Sequence, residues 1–399
     1  MTRAAIVSTA RTPIGKAYRG AFNNTQGQEL AAHAIKHALS TAGLDPSDIE
    51  DVILGCALPE GSTGFNIARQ AALRAGLPVA VPGMTVDRQC SSGLMAVAIA
   101  AKQVLVDGMR ATIGGGVESI SLVQNAHVNK YRARDAWLEA NAPGIYMPML
   151  HTAEIVATRY GVSRDRQDQM AFESHRRAAQ AQNNGIYDAE IAPITVVKIE
   201  VDKVTGEQRE IEVTLTRDEG VRPSTTLDGL TGLKTVLKPG EVVDAPTVTA
   251  GNASQLSDGA SMNVIVDEHF AKANGLTPLG YYRGIAVTGC APNEMGIGPI
   301  AAIPKLLKQH GLTVDDIGVW ELNEAFAAQA AYCGDTIGID PTKCNVNGGA
   351  IALGHPYGMT GARAVGHALL EAQRRGEQFA VVSMCVGGGM GAAGLFETA

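Results

Sequence analysis

The stretch AIKHALSTAGLDPSDIEDVILG, residues 34–55, is matched without a gap by AIPKLLKQHGLTVDDIGVWELN, residues 302–323. The two copies are offset by 268 residues throughout, so that position 34 aligns with position 302 and Gly43 aligns with Gly311. Each copy is typical of an amphipathic helix that ends at a glycine and is followed by a short loop and an apolar strand. Self-similarity on this scale predicts two homologous halves, each built from strands and helices.

The same offset returns further along the chain. It pairs Gly93 with Gly361 near the start of a predicted helix and Gly108 with Gly376 at its end. An apolar strand follows that helix in each half: ATIGGGVES in the first and FAVVSMCVGGGMGAAGLF in the second. Strands that alternate with helices of this length predict an α/β fold with mostly parallel sheets covered by helices.

Residues 122–245 interrupt this pattern and are predicted to form an inserted loop domain. Within them, KIEVDKVTGEQREIEVTLTRD alternates polar and β-branched residues around Thr205-Gly206, which predicts a solvent-exposed hairpin. The chain is therefore divided into a first half, residues 1–121, completed by residues 246–270, then the insert, then a second half, residues 271–399. Insertions between rigid halves are common places for ligand contacts.

Length and composition exclude several classes of protein. The 399 residues are enough for more than one core-bearing unit, and 45% of them are hydrophobic. The net charge is −7 and no basic block is present, so a nucleic-acid partner is not expected. No apolar run is expected to reach the roughly 18 residues of a membrane span, and the first residues are not expected to form a signal peptide. We expect a soluble, cytoplasmic protein with no membrane partner.

The chain has six cysteines and no CxxC pair, which disfavours a zinc site or a dithiol redox centre. Without a secretion signal the thiols are expected to be reduced. A cysteine taken alone is most often a small buried side chain, so its neighbours in the sequence must identify a reactive one. No metal site is predicted.

Cys90 stands in MTVDRQCSSGLMAVAIAAKQVL, where a strand-like run gives way to apolar residues at helical spacing. The thiol is therefore predicted at a helix N-terminus, where exposed N–H groups and the helix dipole favour thiolate over thiol. A thiolate is a nucleophile and a fair leaving group, as thioester exchange requires. Taken by itself, the segment is equally typical of a buried structural cysteine.

His355 occurs in NVNGGAIALGHPYGMTGARAVGHALL, directly before the helix that the repeat pairs with the Cys90 helix. If the halves pack as pseudo-twofold mates, the N-termini of both helices meet at one place. The imidazole could then take the proton of the thiol. A solvated loop histidine is the alternative, and the position opposite Cys90 favours the catalytic role. The Gly348-Gly349 pair could let the backbone approach a ligand closely.

Two further motifs follow predicted strands. Cys385, in SMCVGGGMGAA, lies at a strand end before three glycines whose N–H groups could bind an oxyanion. The alternative is a core cysteine before a glycine turn. NEAFAAQA ends the repeated strand and begins a helix, so Asn323 could be only a helix cap and Glu324 only a first-turn charge.

Together these motifs resemble the thiolase family over nearly the whole chain. CSSGL, NEAFA, GGAIALGHP and CVGGGMG stand in the family's order and spacing, as do RTPIGK and VTAGNAS. The resemblance implies a duplicated thiolase-like fold with a layered α-β-α-β-α core. It implies an acyl-CoA C-acyltransferase that cleaves 3-ketoacyl-CoA with coenzyme A, or runs the reverse condensation, through an acyl-cysteine in a ping-pong cycle.

The resemblance also implies a role for each catalytic residue. Cys90 carries the acyl group, His355 activates it, and Cys385 removes or returns a proton at the acetyl α-carbon. Asn323 holds a water that joins His355 in one oxyanion hole. The backbone N–H groups of Cys90 and Gly387 form the other.

Three binding residues are carried over from the family in the same way. Arg222, in DEGVRPSTT, matches a position near the nucleotide, Ser254 matches one that contacts the pantetheine arm, and Met149 borders the acyl pocket. Coenzyme A is then a substrate, and no cofactor is permanently bound. The partners are CoA thioesters, and the family implies a homodimer or a homotetramer.

The chain departs from the family pattern at several positions. Asp87 stands where an asparagine is usual, PMLHTAE at residues 148–154 replaces HMGxTAE, and Gly229 replaces a serine of the nucleotide loop. These departures leave the acyl chain length open. CSSGL is more similar to the degradative 3-ketoacyl-CoA branch than to the biosynthetic acetoacetyl branch.

Two alternatives differ in class from this interpretation. A decarboxylating condensing enzyme of the ketoacyl-synthase type shares the duplicated fold and a cysteine at a helix N-terminus, but it normally lacks the second catalytic cysteine. A non-catalytic lipid-binding or coenzyme A-binding module would not need Cys90, His355 and Cys385 together. The three residues therefore favour the thiolase-type enzyme.

Overall fold

The computed structural model describes residues 2–202 and 204–399. The strands are β1 Ala4–Arg11, β2 Gly15–Lys16, β3 Asp51–Gly55, β4 Met84–Val86, β5 Ala111–Ser119, β6 Ile194–Val201, β7 Gln208–Leu215, β8 Ser257–Asp267, β9 Gly280–Gly289, β10 Val319–Leu322, β11 Phe379–Val386 and β12 Met390–Thr398. The helices are α1 Gly27–Ala42, α2 Ile67–Ala75, α3 Ser92–Lys102, α4 Ile120–Val123, α5 Ala136–Asn141, α6 Met149–Arg159, α7 Arg164–Asn183, α8 Leu227–Thr231, α9 Glu268–Ala273, α10 Gly298–His310, α11 Ala327–Ile337, α12 Ala350–Leu353 and α13 Tyr357–Arg375.

The repeated segments fold alike. Helix α1 ends at Gly43 with φ 68°, and helix α10 ends at Gly311 with φ 66°. Both glycines are in the left-handed region, which glycine adopts without the steric cost that a side chain adds. A short loop then leads to β3 in one half and β10 in the other. The helix–loop–strand unit predicted for both halves is confirmed.

The strands form one main sheet in the order β10-β11-β12-β9-β1-β8-β5-β3-β4, with β2 paired to β8. The parallel pairings are β3 with β4, β3 with β5, and β10 with β11. The other pairings of this sheet are antiparallel, so the prediction of mostly parallel sheets is wrong. In the second half the cause is local, because the glycine turn after β11 closes a hairpin with β12 in place of a helical crossover.

Three buried clusters show how the layers stack. One packs α1 and α2 against the strands of the first half. A second places α3 and α13 between the strands of the two halves. The third packs α10 and α11 on the outer face of the second half. These clusters give the layered α-β-α-β-α core that was predicted, with the two central helices sharing the middle layer.

The insert is attached to the first half by buried charges. Arg11, from the RTPIGK motif, contacts Glu190 at 2.7 Å and Asp218 at 2.7 Å, and all three side chains are almost fully buried. Strands β6 and β7 pair antiparallel from Ile194 with Leu215 to Val201 with Gln208, so the predicted hairpin is confirmed. Residue 203, within the predicted hairpin, lies outside the described residues.

One helical segment has the length and composition of a membrane span. It runs from Gln89 to Asp107, with a mean hydropathy of 1.3, so the expectation that no apolar run reaches this length is wrong. The segment contains α3, whose Leu94 and Val97 are fully buried in the middle layer. Since the core helix of a soluble protein has the same composition, its burial between the two halves accounts for this segment.

Candidate active site

Cys90 lies in a 3₁₀ turn, Gln89–Ser91, that leads directly into α3. Its side chain is buried, with 8% exposed. The hydroxyl of Ser92 holds the turn, because it accepts from the backbone N–H of Arg88 at 2.9 Å and donates to the carbonyl of Gln89 at 2.6 Å. The structure therefore places the thiol at the start of a helix, as the sequence predicts.

Burial raises the pKa of Cys90 to about 11. The backbone N–H groups of Gly387 and of Cys90 itself lower the pKa, but they only partly offset the cost of burial. At pH 7 about one thiol in ten thousand would be ionised. The expected preference for thiolate is wrong for the enzyme at rest, because removal of the sulfur from water outweighs the helix end.

The two N–H groups that lower the pKa of Cys90 come from different elements. One is the residue's own, at the start of α3, and the other is that of Gly387, which directly follows β11. Gly388 and Gly389 turn the chain there with φ 82° and 88°. Two donors that converge at a nucleophile suit the stabilisation of an oxyanion formed on an acyl group bound to that sulfur.

His355 lies in the loop between α12 and α13 and is 2% exposed. Its Nδ1 is 2.7 Å from the hydroxyl of Thr360, and its Nε2 is 3.3 Å from the amide nitrogen of Asn323. Burial lowers the pKa of His355 to about 3, and the positive charge of Arg363 lowers it further. The imidazole is therefore neutral near pH 7 and can accept a proton.

Tyr357 connects the imidazole with the nucleophile. Its ring lies edge-on to the ring of His355, with 5.2 Å between the centroids. Burial raises the pKa of Tyr357, and Cys90 and Glu118 raise it further, so the phenol is close to that sulfur as well. The structure thus brings Cys90 and His355 close to the same tyrosine.

Cys385 lies in β11 and is fully buried. Burial raises its pKa well above the usual value, and the neighbouring Cys90 raises it further. Met295 and Ala325 form a buried cluster with it, against which Met149 and Phe326 pack. The second sulfur is therefore close to the first and is surrounded by apolar side chains from both the insert and the second half.

Asn323 and Glu324 lie in the loop between β10 and α11, and the first turn of α11 begins only at Ala327. The purely structural interpretations of these two residues are therefore wrong: Asn323 is not a helix cap and Glu324 is not a first-turn charge. The Oδ1 of Asn323 is buried and lacks a hydrogen-bond partner among the described residues. Glu324 is buried and accepts from Ser174 at 2.6 Å and from Asn345 at 2.9 Å.

The glycine pair before His355 serves a different contact from the one expected. A methyl group on Gly348 would lie 2.7 Å from the Cβ of Ala178, and one on Gly349 would lie 2.5 Å from a carboxylate oxygen of Glu324. The two glycines therefore let α7 and a buried carboxylate approach the loop. Close approach of this backbone to a ligand stays a prediction. A cavity of about 120 Å³ between α7 and α11 also borders Glu324, and its lining excludes Cys90, His355 and Cys385.

Two of the three expected binding residues reach the catalytic segments. Met149 packs against the Cys385 cluster, and the backbone N–H of Ser254 donates to the carbonyl of Ala325 at 3.0 Å. Arg222 is exposed on the surface, and its backbone N–H donates to Nδ1 of His175 at 3.3 Å. The positive charges of Arg222 and Lys16 help burial to lower the pKa of His175 to about 4, which marks a local basic patch.

Glu118 was missed by the sequence reasoning. It is fully buried in β5, and one of its oxygens accepts from the N–H groups of Ala57 and Gly358, each at 2.9 Å. The carboxylate thus joins the first half to the first turn of α13. Burial raises its pKa to about 7. A lone charged residue near the end of the apolar strand ATIGGGVES was the available signal, since an unpaired buried carboxylate is rare.

Comparison with known proteins agrees with this architecture. The family models described as Thiolase, N-terminal domain and Thiolase, C-terminal domain match residues 4–269 and 276–398. The chain is 48% identical over 398 residues to a 3-ketoacyl-CoA thiolase of Bacillus subtilis (strain 168), with 100% of each chain covered. It is 45% identical over 394 residues to the peroxisomal 3-ketoacyl-CoA thiolase A of Mus musculus, covering 98% of this chain and 90% of the relative.

Solved structures give the same result. A crystal structure of the Bacillus anthracis acetyl-CoA acetyltransferase superposes with a TM-score of 0.88 and 36% identity, covering 100% of this chain and 99% of the other. Human mitochondrial 3-ketoacyl-CoA thiolase in complex with CoA superposes with a TM-score of 0.86 and 36% identity, covering 100% and 98%.

Fold and similarity together define an acyltransferase with a duplicated α/β fold. The chain belongs to the thiolase family, since both of the family's domains match in chain order along almost its whole length. Nothing in these comparisons favours a ketoacyl-synthase-type enzyme or a non-catalytic binding module.

Proposed function

We propose that this protein cleaves 3-ketoacyl-CoA with coenzyme A to acyl-CoA and acetyl-CoA, and runs the reverse Claisen condensation, through an acyl group on Cys90. The observation that carries the proposal is a buried Cys90 thiol at the start of α3, close enough to the N–H groups of Cys90 and Gly387 for both to lower its pKa, in a site that also holds a buried neutral imidazole. Such an arrangement supports covalent acyl transfer, because it supplies a nucleophile, a base and an oxyanion site together.

In the first half-reaction, Nε2 of His355 takes the proton of the Cys90 thiol. The thiolate attacks the keto carbon, and the bond between C2 and C3 breaks with its electron pair left on C2. The Cys385 thiol gives its proton to C2, which releases acetyl-CoA and leaves an acyl group on Cys90. A protonated thiol suits this role, and burial keeps Cys385 protonated by raising its pKa.

In the second half-reaction, the thiol of coenzyme A loses its proton to the Cys385 thiolate and attacks the acyl carbon. The bond from that carbon to the Cys90 sulfur breaks, and protonated His355 returns the proton to the departing sulfur. All three groups are then in their starting protonation states. Because the first product leaves before the second substrate reacts, the kinetics should be ping-pong.

The enolate formed at acetyl-CoA needs its own hydrogen-bond donors. Asn323 is suited to hold a water there, because its Oδ1 is buried without a partner among the described residues while its Nδ2 lies 3.3 Å from His355. Buried amide oxygens are normally satisfied, by water where no protein group reaches them. We therefore assign the second oxyanion site to this water together with His355.

Coenzyme A enters as a substrate, and we propose no permanently bound cofactor. The segment that contains Ser254 is tied to Ala325 beside the two cysteines, which supports a place for the pantetheine arm along it. Arg222 and Lys16 both lie close enough to His175 to lower its pKa, and this basic patch supports contacts with phosphate groups. The complex of a similar human enzyme with CoA agrees with this choice of ligand.

A homodimer, alone or as half of a tetramer, is the proposed assembly. Strand β4 is at one end of the main sheet, so its outer edge is unpaired within the described chain. Phe65, Val79 and Met84 beside this edge are exposed to 98%, 79% and 37%, which is unusual for large apolar side chains. A second copy that pairs edge to edge would cover them. Analytical ultracentrifugation of the wild type and Met84→Lys tests this assignment.

The divisions near residues 121, 245 and 271, the coenzyme A contacts of the insert, and a cytoplasmic location also belong to this proposal. For location, the similar proteins differ, since they include a bacterial enzyme and peroxisomal ones. Fractionation of the source cells decides it.

The direct test of the function is consumption of acetoacetyl-CoA and of longer 3-ketoacyl-CoA esters with free coenzyme A, followed by product analysis. We expect acetyl-CoA and an acyl-CoA shortened by two carbons. Cys90→Ala should lower the cleavage rate by about 1000-fold or more, since removal of a covalent nucleophile leaves only binding and oxyanion stabilisation. An active Cys90→Ala variant, or no cleavage by the wild type, would overturn the proposal.

A further inference from the structure

Thr360 contacts the ring nitrogen of His355 that does not contact Asn323. It lies in the first turn of α13 and is 2% exposed. Its hydroxyl oxygen is 2.7 Å from Nδ1 of His355 and 2.9 Å from the carbonyl oxygen of Pro356. Among the described residues, Thr360 is the hydrogen-bond partner of Nδ1.

The proton count along this chain of contacts fixes the form of the imidazole. A threonine hydroxyl has one proton, and the carbonyl of Pro356 can only accept it. The hydroxyl must then accept from Nδ1, so the proton of the neutral ring is on Nδ1 and the lone pair is on Nε2. At the other end, Nε2 faces the amide nitrogen of Asn323, which can only donate. The contacts at both ring nitrogens agree on the same tautomer.

We propose that Thr360 is a positioning residue that keeps His355 in the Nδ1–H form, so that Nε2 is the ring nitrogen that takes the proton of Cys90. The same contact serves after the transfer, because Nδ1 of the protonated ring still donates to the hydroxyl and the hydroxyl still donates to Pro356. The hydrogen bonds at Nδ1 therefore stay the same when the base changes charge. This role rests on the proposed function for its catalytic meaning, but the tautomer itself does not.

A structural role explains only half of the geometry. Threonine in a helix often donates its hydroxyl to the carbonyl four residues earlier, as Thr360 does to Pro356. This common helical hydrogen bond does not require a histidine nitrogen 2.7 Å from the same hydroxyl oxygen. Serine can make both contacts, whereas valine has nearly the same shape and can make neither.

The experiment compares Thr360→Val and Thr360→Ser with the wild type. Thr112→Val is the matched control, because Thr112 in β5 is also fully buried and its hydroxyl donates to backbone carbonyls, those of Ala100 in α3 and Ile265 in β8. We measure the single-turnover rate of Cys90 acetylation by acetyl-CoA, kcat and KM separately, and thermal unfolding of each variant. Nitrogen-15 NMR of labelled histidine, assigned to His355 by difference from His355→Asn, reports the tautomer.

We expect Thr360→Val to slow acetylation about 100-fold, within the range for loss of a positioned general base, with KM changed less than about threefold. Thr360→Ser and Thr112→Val should stay within about threefold of the wild-type rate. Unchanged acetylation in Thr360→Val, or equal losses in the serine and valine variants, would overturn the positioning role. A wild-type spectrum with the proton on Nε2 would do so independently. If the wild type acetylates no cysteine, the proposed function fails and the NMR result alone decides the assignment of Thr360.

Discussion

Gly93 and Gly361, which occupy equivalent positions in the two halves, sit at the crossing of α3 and α13. A methyl group on Gly93 would lie 2.8 Å from the backbone nitrogen of Ala362, and one on Gly361 would overlap the backbone nitrogen of Leu94. Residues 94 and 362 are themselves equivalent in the repeat, so the contact is reciprocal. Backbone contact at this crossing brings the start of each helix, and with it Cys90 and the His355 loop, to the same region.

Gly93→Ala should therefore destabilise the protein, although alanine is the better helix former by about 1 kcal/mol. The added methyl group meets backbone atoms that cannot rotate away, and overpacking of this kind costs about 1–3 kcal/mol or more. We expect a lower free energy of unfolding by urea and slower acetylation of Cys90.

The control for that variant is Gly334→Ala in α11. No atom lies within 4 Å of the added methyl group there. Helix propensity then acts alone, and we expect the free energy of unfolding to rise by about 0.5–1 kcal/mol. Equal stability of Gly93→Ala and the wild type would show that the two helices can separate without cost.

The duplicated architecture could be predicted because each copy of the repeat has the same local sequence pattern of helix, terminal glycine and strand. Gly43 and Gly311 end equivalent helices, and the constant offset carries that correspondence on to Gly93 and Gly361. Strand direction was missed because it depends on partners distant in sequence. Strand β8, for example, follows the insert and then pairs antiparallel with both β1 and β5.

The candidate site was predicted more completely in its members than in its electrostatics. The helix end at Cys90 is a local property, whereas the burial that raises its pKa arises only after the two halves pack. Glu118 and Thr360 were not identified from the sequence for a similar reason. Each acts through a contact whose geometry is known only from the folded structure. Met295 joins Cys385 in the same way, from a 3₁₀ segment far away in the chain.

Cys385→Ala should separate the two chemical steps. In exchange of label between acetyl-CoA and free coenzyme A, His355 can pass the proton between the Cys90 sulfur and the coenzyme A sulfur in place of Cys385, so this reaction should slow only modestly. Condensation also needs a proton removed from the acetyl methyl group. We expect exchange within about tenfold of the wild type and condensation slower by about 100-fold to 10,000-fold. If exchange and condensation fall together, the assigned role of Cys385 is wrong.

The pH dependence of alkylation tests the protonation state of Cys90. Because burial raises its pKa to about 11 and lowers that of His355 to about 3, no thiolate–imidazolium pair is present at rest. The rate of reaction with iodoacetamide should therefore rise about tenfold per pH unit from pH 7 to pH 10, in proportion to the thiolate. Alkylation is quantified on the peptide that contains Cys90, so that reaction of the half-buried Cys290 does not contribute to the measured rate. A rate that is level across pH 6–9 would show a preformed ion pair.

Leu150→Gly should change chain-length preference. Leu150 is the second residue of α6, next to Met149, which packs on the Cys385 cluster. Removal of its side chain should open space for longer acyl groups, and a pocket methylene is worth about 1–3 kcal/mol of discrimination. The ratio of kcat/KM for longer 3-ketoacyl-CoA substrates to that for acetoacetyl-CoA should rise. The ratio cancels any uniform loss of activity, so an unchanged value would exclude this segment from the acyl site.

Acetylation by acetyl-CoA alone tests the nucleophile itself. With no second substrate to complete the cycle, the acetyl group should stay on Cys90, whose thiol lies at the start of α3. Acid quench and peptide mass analysis should find one acetyl group on the peptide that contains DRQCSSGL. His355→Ala should slow this labelling about 100-fold to 10,000-fold without moving it, because the base is lost while the sulfur and its donors remain. Cys90→Ser should abolish turnover, since a serine hydroxyl is far harder to ionise beside the same imidazole. An acetyl group on Cys385, or turnover that persists with no acetylated cysteine, would contradict the assignment of the nucleophile and the mechanism that depends on it.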